Sequence, residues 1–387
     1  MKVYKRKILT KTQSVISREK ALVLQGARRT GKTTILLYLQ DLLERQGKRT
    51  VYYNLTYPDV LAGLARGRAA LTDDLTAKGY GSDEVFVFLD DLQQLKNLSW
   101  LNDLPGHVHL IAAAAIKLDL PQGIKTMEVL PLTFSEFLEF KTAESSGPGQ
   151  WPVLYQEFVR YGGYPEIVLE PLLEKKKQLL WQLIDIYLRK DIGNLAKIND
   201  LDKFYCLLKV LAGQAGQTLD MMAVCRETGT SFPTLQKYLA VLEQTFLVER
   251  VKPYGKRATA EISKSPKLFF LDSGLQSILW LQQFQPMILE PVFKTNIFGE
   301  LVKKLGREAV KFWRTKAGAE VDFIVEKPGG NQPDGRQVLA IEAAINFQRF
   351  NQKNMSSFKR RYNPKRWRLI GLEGEKLVKN GFYPWEM

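Results

Sequence analysis

The segment Gly26-Ala27-Arg28-Arg29-Thr30-Gly31-Lys32-Thr33 fits the spacing G-x-x-x-x-G-K-[ST] at every fixed position. The apolar run from Ala21 to Leu24 before it reads as a short buried strand, and Thr34 to Leu43 after it has helical spacing, stopped by Gly47. In such a strand, loop and helix unit the glycines let backbone N–H groups turn inward around phosphate oxygens. Lys32 is placed to reach the β- and γ-phosphates, and the Thr33 hydroxyl to ligate Mg²⁺. The helix N-terminus, with Thr34 in its first turn, adds partial positive charge. The pattern therefore predicts binding of a nucleoside triphosphate, ATP, along Gly26 to Thr34. A chance glycine-rich turn carrying Lys-Thr would not bring both flanking elements with it.

Working outward, Thr50 to Leu55, Glu84 to Leu89, Val108 to Ala115 and Thr126 to Leu130 read as four further strands. Continuous apolar runs separated by helical segments indicate a parallel sheet covered on both faces, so the fold class is α/β with a P-loop sheet ending near residue 140. The run Phe86-Val87-Phe88-Leu89-Asp90-Asp91 ends a buried strand with two carboxylates. Hydrolysis of ATP needs one carboxylate on the Mg²⁺ side, assigned to Asp90, and one to polarise the attacking water, assigned to Asp91. Many such ATPases have Glu at the second position, and Asp is one methylene shorter. Slow turnover is therefore expected. The fourth strand ends Ala112-Ala113-Ala114-Ala115, which offers no side-chain donor to a γ-phosphate. Loss of one such positioning hydrogen bond costs about 1 to 3 kcal/mol of transition-state stabilisation. Arg160 and Arg189 are candidates for an arginine acting on the γ-phosphate, with a surface ion pair as the alternative for each.

The chain has 387 residues, enough for two to four domains. Lys plus Arg exceed Asp plus Glu by 56 − 41 = 15, a field that favours polyanions such as nucleic acid, or a membrane surface, over a merely basic soluble protein. Cys206 and Cys225 suggest neither a disulfide framework nor a zinc site. Ile8-Leu9 is followed by polar residues, which excludes a signal-peptide core, and no run approaches a membrane span, so a cytoplasmic location is expected.

After the loop signal at 144–150, helical segments at Lys203 to Leu211, Met221 to Glu227 and Pro233 to Glu243 precede strand-like runs at Phe246 to Val251 and Lys267 to Leu271. This is the order of a winged helix-turn-helix, with Thr230 or Ser231 capping the third helix and Thr234, Gln236 and Lys237 available to a groove. DNA contact and protein contact both remain open for it. A last part carries a helix with Glu300, strands at 310–314, 320–325, 338–341 and 366–370, and a loop at 327–335.

With these residues in view, the chain resembles the prokaryotic AAA-type ATPases related to the STAND signalling ATPases. The resemblance rests on GARRTGKTT, FLDDLQ, LPLTFSEFLEF at 130–140, YGGYPE at 161–166, YLRKDI at 187–192 and WRTKAGAEVDFIVE at 313–326. It implies a P-loop AAA-like core over 1–140, a helical lid over 141–200, a winged helix over 201–280, and a restriction-endonuclease-like α/β domain of unknown function over 281–387. A site of that last kind places Asp on one strand and Glu-x-Lys on the next, so Asp322 and Glu342 are the candidate divalent-metal ligands. Ala344 stands at the lysine position, and neither Arg349 nor Lys353 has the offset to replace it. A degenerate domain without nuclease activity is expected.

Basic residues cluster at Lys2, Lys5, Arg6, Lys7 and Lys11, and again in Phe358-Lys359-Arg360-Arg361-Tyr362-Asn363-Pro364-Lys365-Arg366-Trp367-Arg368. Interleaved aromatics and cations suit phosphate pairing with base stacking, and equally a solvated helix and strand whose Phe358 and Trp367 are buried. Two functions follow: an ATP-hydrolysing switch that controls its appended domains, or a nucleic-acid or protein interaction module that keeps ATP as a structural ligand. An ATP-regulated nuclease is the third.

Overall fold

In the computed structural model of the protein, the described residues are 4–141, 147–192, 200–255, 265–328, 336–376 and 379–387. Part of each of the loops expected at 144–150 and 327–335, together with Lys2, lies outside them. Contacts divide the chain into two units, residues 1–130 with 244–246, and residues 131–243 with 247–387.

The first unit is built on β1 (Ala21–Gln25), β2 (Arg49–Asn54), β3 (Val85–Asp90), β4 (Val108–Ala114) and β5 (Lys125–Glu128). They form one sheet in the order β2-β3-β4-β1-β5, and every neighbouring pair is parallel. Helices α1 (Lys7–Val15), α2 (Lys32–Arg45), α3 (Pro58–Leu64) and α4 (Arg68–Ala77) lie between or before the strands. The apolar runs are continuous because successive side chains feed two cores. Val23, Val87, Leu89, Leu110 and Ala112 pack with Leu64, Leu71 and Leu75, whereas Leu22, Leu24, Phe86, Phe88, Ile111 and Ala113 pack with Leu9, Ile35, Leu36 and Leu39. All four alanines from Ala112 to Ala115 are buried, so the small side chains there serve close packing.

The second unit begins at Pro131. The reason is local. Helix α5 (Phe134–Phe140) starts at a capping box between Thr133 and Glu136, and its Phe134 N–H donates to Glu300 Oε1 at 3.1 Å. The Leu132 carbonyl accepts from Lys303 Nζ at 2.9 Å. The conspicuous LPLTFSEFLEF stretch is thus the anchor of this helix to α13 (Glu290–Leu305).

Between them lie α6 (Trp151–Tyr161), α7 (Pro165–Leu169), α8 (Leu173–Ile186), α9 (Leu201–Gly213), α10 (Met221–Thr228), α11 (Phe232–Gln244) and α12 (Ser273–Leu281). An antiparallel pair, β6 (Val248–Val251) and β7 (Lys267–Phe270), follows α11. Of the two proposed caps, Ser231 takes the role: its Oγ accepts from Thr234 N–H at 3.3 Å. A mixed sheet of β8 (Val310–Arg314), β9 (Glu320–Pro328), β10 (Arg336–Asn346), β11 (Arg366–Glu373) and β12 (Gly381–Phe382) completes the unit, ordered β12-β11-β10-β9-β8. Strands β10 and β11 are parallel, and α14 (Gln352–Tyr362) is the crossover between them that a parallel pair requires. Among the described residues no helix is long and apolar enough to cross a membrane.

The YGGYPE stretch has a packing explanation. The buried Asp272 caps α12 by accepting from Leu275 N–H at 3.0 Å, and its other oxygen accepts from Gly163 N–H at 2.8 Å. Gly162, at φ +80°, lies so close that a Cβ there would stand 2.1 Å from Asp272 Oδ1. Burial pushes the Asp272 carboxyl above its ordinary pKa, against the pull of Lys303 and these N–H donors. Gly162→Ala should therefore destabilise the second unit by about 2 to 4 kcal/mol, read as a lower urea midpoint at unchanged m-value. A midpoint equal to the native chain's would show that the turn has room to relax.

Candidate functional site

Strand order decides what meets at the carboxyl edge of the first sheet. With β4 inserted between β1 and β3, the loop after β1 and the carboxylates after β3 flank the end of β4. This edge is where open α/β sheets bind ligands. Gly26 N–H donates to the Ala114 carbonyl at 3.1 Å, and a Cβ on Gly26 would stand 2.1 Å from the Val129 carbonyl oxygen. No other residue fits at that turn. Gly31, at φ +92°, brings the chain into α2, and Arg29 also has positive φ, 57°. Thr30 is fully buried, its hydroxyl donating to the Ala27 carbonyl at 2.8 Å.

Inside this loop the Lys32 ammonium donates to the carbonyls of Gly26 and Ala27, at 2.9 and 2.7 Å. Thr33 Oγ1 donates to Asp90 Oδ2 at 2.6 Å. The expected lysine, hydroxyl and carboxylate are therefore brought to one place. Thr34 is exposed in the first turn of α2. Asp91 follows in a left-handed conformation, φ 59°, its N–H donating to Asp90 Oδ1 at 3.0 Å. Arg28 lies 3.8 Å from Asp91 Oδ1. A hard divalent cation takes oxygen ligands, and the adjoining hydroxyl and carboxylate of Thr33 and Asp90 fit one that completes its shell with phosphate and water.

Three contributors were not legible from the motif. Tyr52, on β2, donates its hydroxyl to Asp90 Oδ2 at 2.9 Å. Burial, then the neighbouring Asp90, push its pKa well above the ordinary value, which keeps it a donor. Gln93 contacts Asp91 and the end of β4. Arg6 is buried and donates to the carbonyls of Thr30, at 2.6 Å, and Leu130, at 2.8 Å. It belongs to the support of the phosphate loop, which corrects its place in a solvent-facing basic cluster. The FLDDLQ stretch contained the Gln93 signal, since it places an amide two residues beyond the second carboxylate. Tyr52 and Arg6 left no such mark.

The two arginine candidates have partners within the second unit. Arg160 donates to the Pro286 carbonyl, and exposed Arg189 pairs with Asp185 one turn earlier, at 2.6 Å. In the C-terminal sheet, Asp322 on β9 and Glu342 on β10 are both buried. The amine absent at Ala344 arrives from another element: Lys294, on α13, donates to Asp322 Oδ1 at 2.7 Å. Ala343 N–H donates to Asp322 Oδ2 at 3.0 Å. Burial opposes ionisation of Asp322, but Lys294, Lys267 and the Ala343 N–H outweigh it and hold the pKa below its usual value. Burial, then Asp322, push the Glu342 carboxyl up to about 8. An ammonium and a backbone N–H thus occupy one carboxylate, while Oε1 of the other is buried without a hydrogen-bond partner among the described residues. Among the described residues no group of three or more His, Cys, Asp or Glu could hold a metal. The structure thus brings the expected pair, Asp322 and Glu342, onto neighbouring strands, with Lys294 on Asp322.

The aromatic residues of the C-terminal basic segment are also engaged. Phe358 is fully buried, and Trp367 stacks on Phe350 with Lys359 Nζ 3.9 Å from its ring centroid. Arg360, Arg361, Lys365 and Arg366 remain exposed.

Against this geometry, the comparisons with known proteins are as follows. The family model for an AAA domain matches residues 18–138, and that of a domain of unknown function (DUF8612) matches residues 153–285. An uncharacterized protein of Haemophilus influenzae is 26% identical over 276 residues, 66% of this chain and 68% of its own. An uncharacterized protein of Methanocaldococcus jannaschii is 23% identical over 329 residues, 79% of this chain and 72% of its own. AMPPCP-bound DnaA from Aquifex aeolicus aligns at 14% identity and a TM-score of 0.30 over 61% of this chain and 86% of its own. A STAND protein with a tetratricopeptide repeat sensor from Pyrococcus horikoshii aligns at 14% identity and 0.31, over 79% and 45%. The strand order and the matched AAA domain, rather than these distant superpositions, carry the fold.

Removing Lys294 takes from the buried Asp322 its ion-pair partner, so Lys294→Met should destabilise the second unit by about 3 to 5 kcal/mol, and adding Asp322→Asn should recover most of it. Chemical denaturation of the single and double variants measures the coupling. Additive losses would mean that the two residues stand independently.

Proposed function

We propose that this chain, whose residues 18–138 form an AAA-type P-loop domain, binds ATP with Mg²⁺ and hydrolyses it slowly as a nucleotide-dependent switch. The observation that carries the reading is the meeting of Thr33 and Asp90, 2.6 Å apart, beside an ammonium already inside the phosphate loop. Lys32 has two carbonyl partners it can exchange for β- and γ-phosphate oxygens, which offer stronger charge-assisted hydrogen bonds. The backbone from Gly26 to Thr34 cradles the phosphates, with the side chains of Arg28 and Arg29 at its rim. Mg²⁺, held by Thr33 and Asp90, supplies charge neutralisation at the β- and γ-phosphates when bound. Asp91 accepts from the attacking water and takes its proton as the terminal phosphate is transferred. Its shorter reach and the alanines ending β4 keep the rate low.

In the same reading, 141–200 acts as a lid, 201–280 as a winged helix and 281–387 as a non-cleaving restriction-endonuclease-like domain. These parts respond to the nucleotide. Contact with DNA is assigned to phosphate pairing by Arg360, Arg361, Lys365 and Arg366, since the neighbouring aromatics are occupied. Exposed Gln236 and Lys237 on α11 are available to DNA or to a protein partner.

The decisive experiment compares steady-state phosphate release by the native chain and Lys32→Ala. Release should fall to background in the variant, and ATP affinity should drop at least about tenfold, the 1.4 kcal/mol expected for losing a charged hydrogen bond. Equal release from both would remove the ATPase reading and leave ATP as a structural ligand. For DNA, affinity should fall with salt at a slope of about 0.9 per phosphate contacted, and reversing the four exposed cations to Glu should reduce that slope. A flat salt response would exclude the basic segment as a contact.

A further inference from the structure

Gln93 sits in the short turn Leu92–Gln94 that follows β3 and Asp91. Its side-chain amide is used at both ends: Nε2 donates to Asp91 Oδ1, and Oε1 accepts from the Ala115 N–H at 3.0 Å. Turning the amide over would set its oxygen against a carboxylate and its NH₂ against an N–H, so the two partners fix its orientation. The N–H of Asp91 is in turn tied to Asp90 Oδ1. Among the described residues, the side-chain contacts to Asp91 from Gln93 and from Arg28 both fall on Oδ1. Oδ2 takes part in neither contact.

We propose that Gln93 is a positioning residue for hydrolysis, which aims the Asp91 carboxylate and ties it to the end of β4. The carboxyl end of β4, Ala112 to Ala114, contributes no polar side chain of its own. Gln93 supplies the missing link from the β3 side, using the Ala115 backbone as its fixed point. The short Asp91 is held at one oxygen by a donor that is itself braced, so that the second oxygen keeps one direction. Gln93 acts through Asp91 and does not itself touch the phosphate. This inference rests on the proposed ATPase activity.

The test uses the full chain with Mg²⁺ and ATP, in four forms: native, Lys32→Ala, Gln93→Ala and Gln93→Glu. Phosphate release gives kcat and KM, and equilibrium titration with a non-hydrolysable ATP analogue gives Kd. Gln93→Ala should lower kcat about tenfold to a hundredfold, the range for a misplaced reacting group, and leave Kd within about twofold. Gln93→Glu keeps the shape and the acceptor toward Ala115 but sets a carboxylate against Asp91, and it should lose kcat to a similar extent. If the Ala variant fails to fold, as judged by its thermal midpoint, the near-isosteric Glu variant carries the test. Native kcat in either folded variant would overturn the proposal, as would a fall in affinity that matches the fall in rate, which marks a residue that shapes the loop. Native release no faster than that of Lys32→Ala would defeat the ATPase reading and this inference with it. A loss confined to the Gln93 variants' kcat, with native release well above Lys32→Ala, supports both.

Discussion

The hydrogen bond from Thr33 to Asp90, 2.6 Å long, joins residues 57 positions apart and depends on the strand order of the first sheet. Strand β4 must lie between β1 and β3 for the phosphate loop and the carboxylates to flank a common edge. Parallel pairing of all five strands puts their carboxyl ends on the same side, so chain ends that are remote in sequence become neighbours. The two apolar cores hold that order, and the tight turn at Gly26, against the Val129 carbonyl, fixes where the loop can stand. Everything polar in the site is hung on this frame: Lys32 from the first turn of α2, Tyr52 from β2, Gln93 from the turn after β3, and Arg6 from the segment preceding α1.

Two buried aspartates show how environment divides similar carboxylates. Asp90 accepts hydrogen bonds from neutral donors, the hydroxyls of Thr33 and Tyr52 and the Asp91 N–H. Such donors leave its negative charge for a cation to find. Asp322 is matched by the Lys294 ammonium and a backbone N–H, and its neighbour Glu342 is pushed toward the neutral form. Its charge is already balanced within the protein, and breaking an ion pair of this kind is costly. The same residue type thus meets neutral donors in one unit and an ammonium in the other.

Several conspicuous stretches proved to be packing devices. YGGYPE holds Asp272, and LPLTFSEFLEF anchors a helix to Glu300 and Lys303. A glycine pair and a capping box are legible as local geometry, but their partners are more than a hundred residues away, and nothing in the local pattern names them. The basic C-terminal segment was ambiguous for a related reason. Alternating cations and aromatics read alike whether the rings face solvent or a core, and only the burial of Phe358 and the stacking of Trp367 separate the two.

What the amino-acid order determined by itself is local: the phosphate loop from Gly26 to Thr33, the strands as continuous apolar runs, and Asp90 and Asp91 at a strand end. Each follows from a short-range rule of backbone sterics, hydrophobic periodicity or motif spacing. Tertiary structure alone decided the partners. Tyr52 on Asp90, Gln93 between Asp91 and Ala115, Arg6 beneath Thr30, and Lys294 in place of an amine at Ala344 each join separate elements. The physical reason is that a hydrogen bond or ion pair is set by distance in space. Distance between elements follows from strand order and helix packing, which no local spacing records.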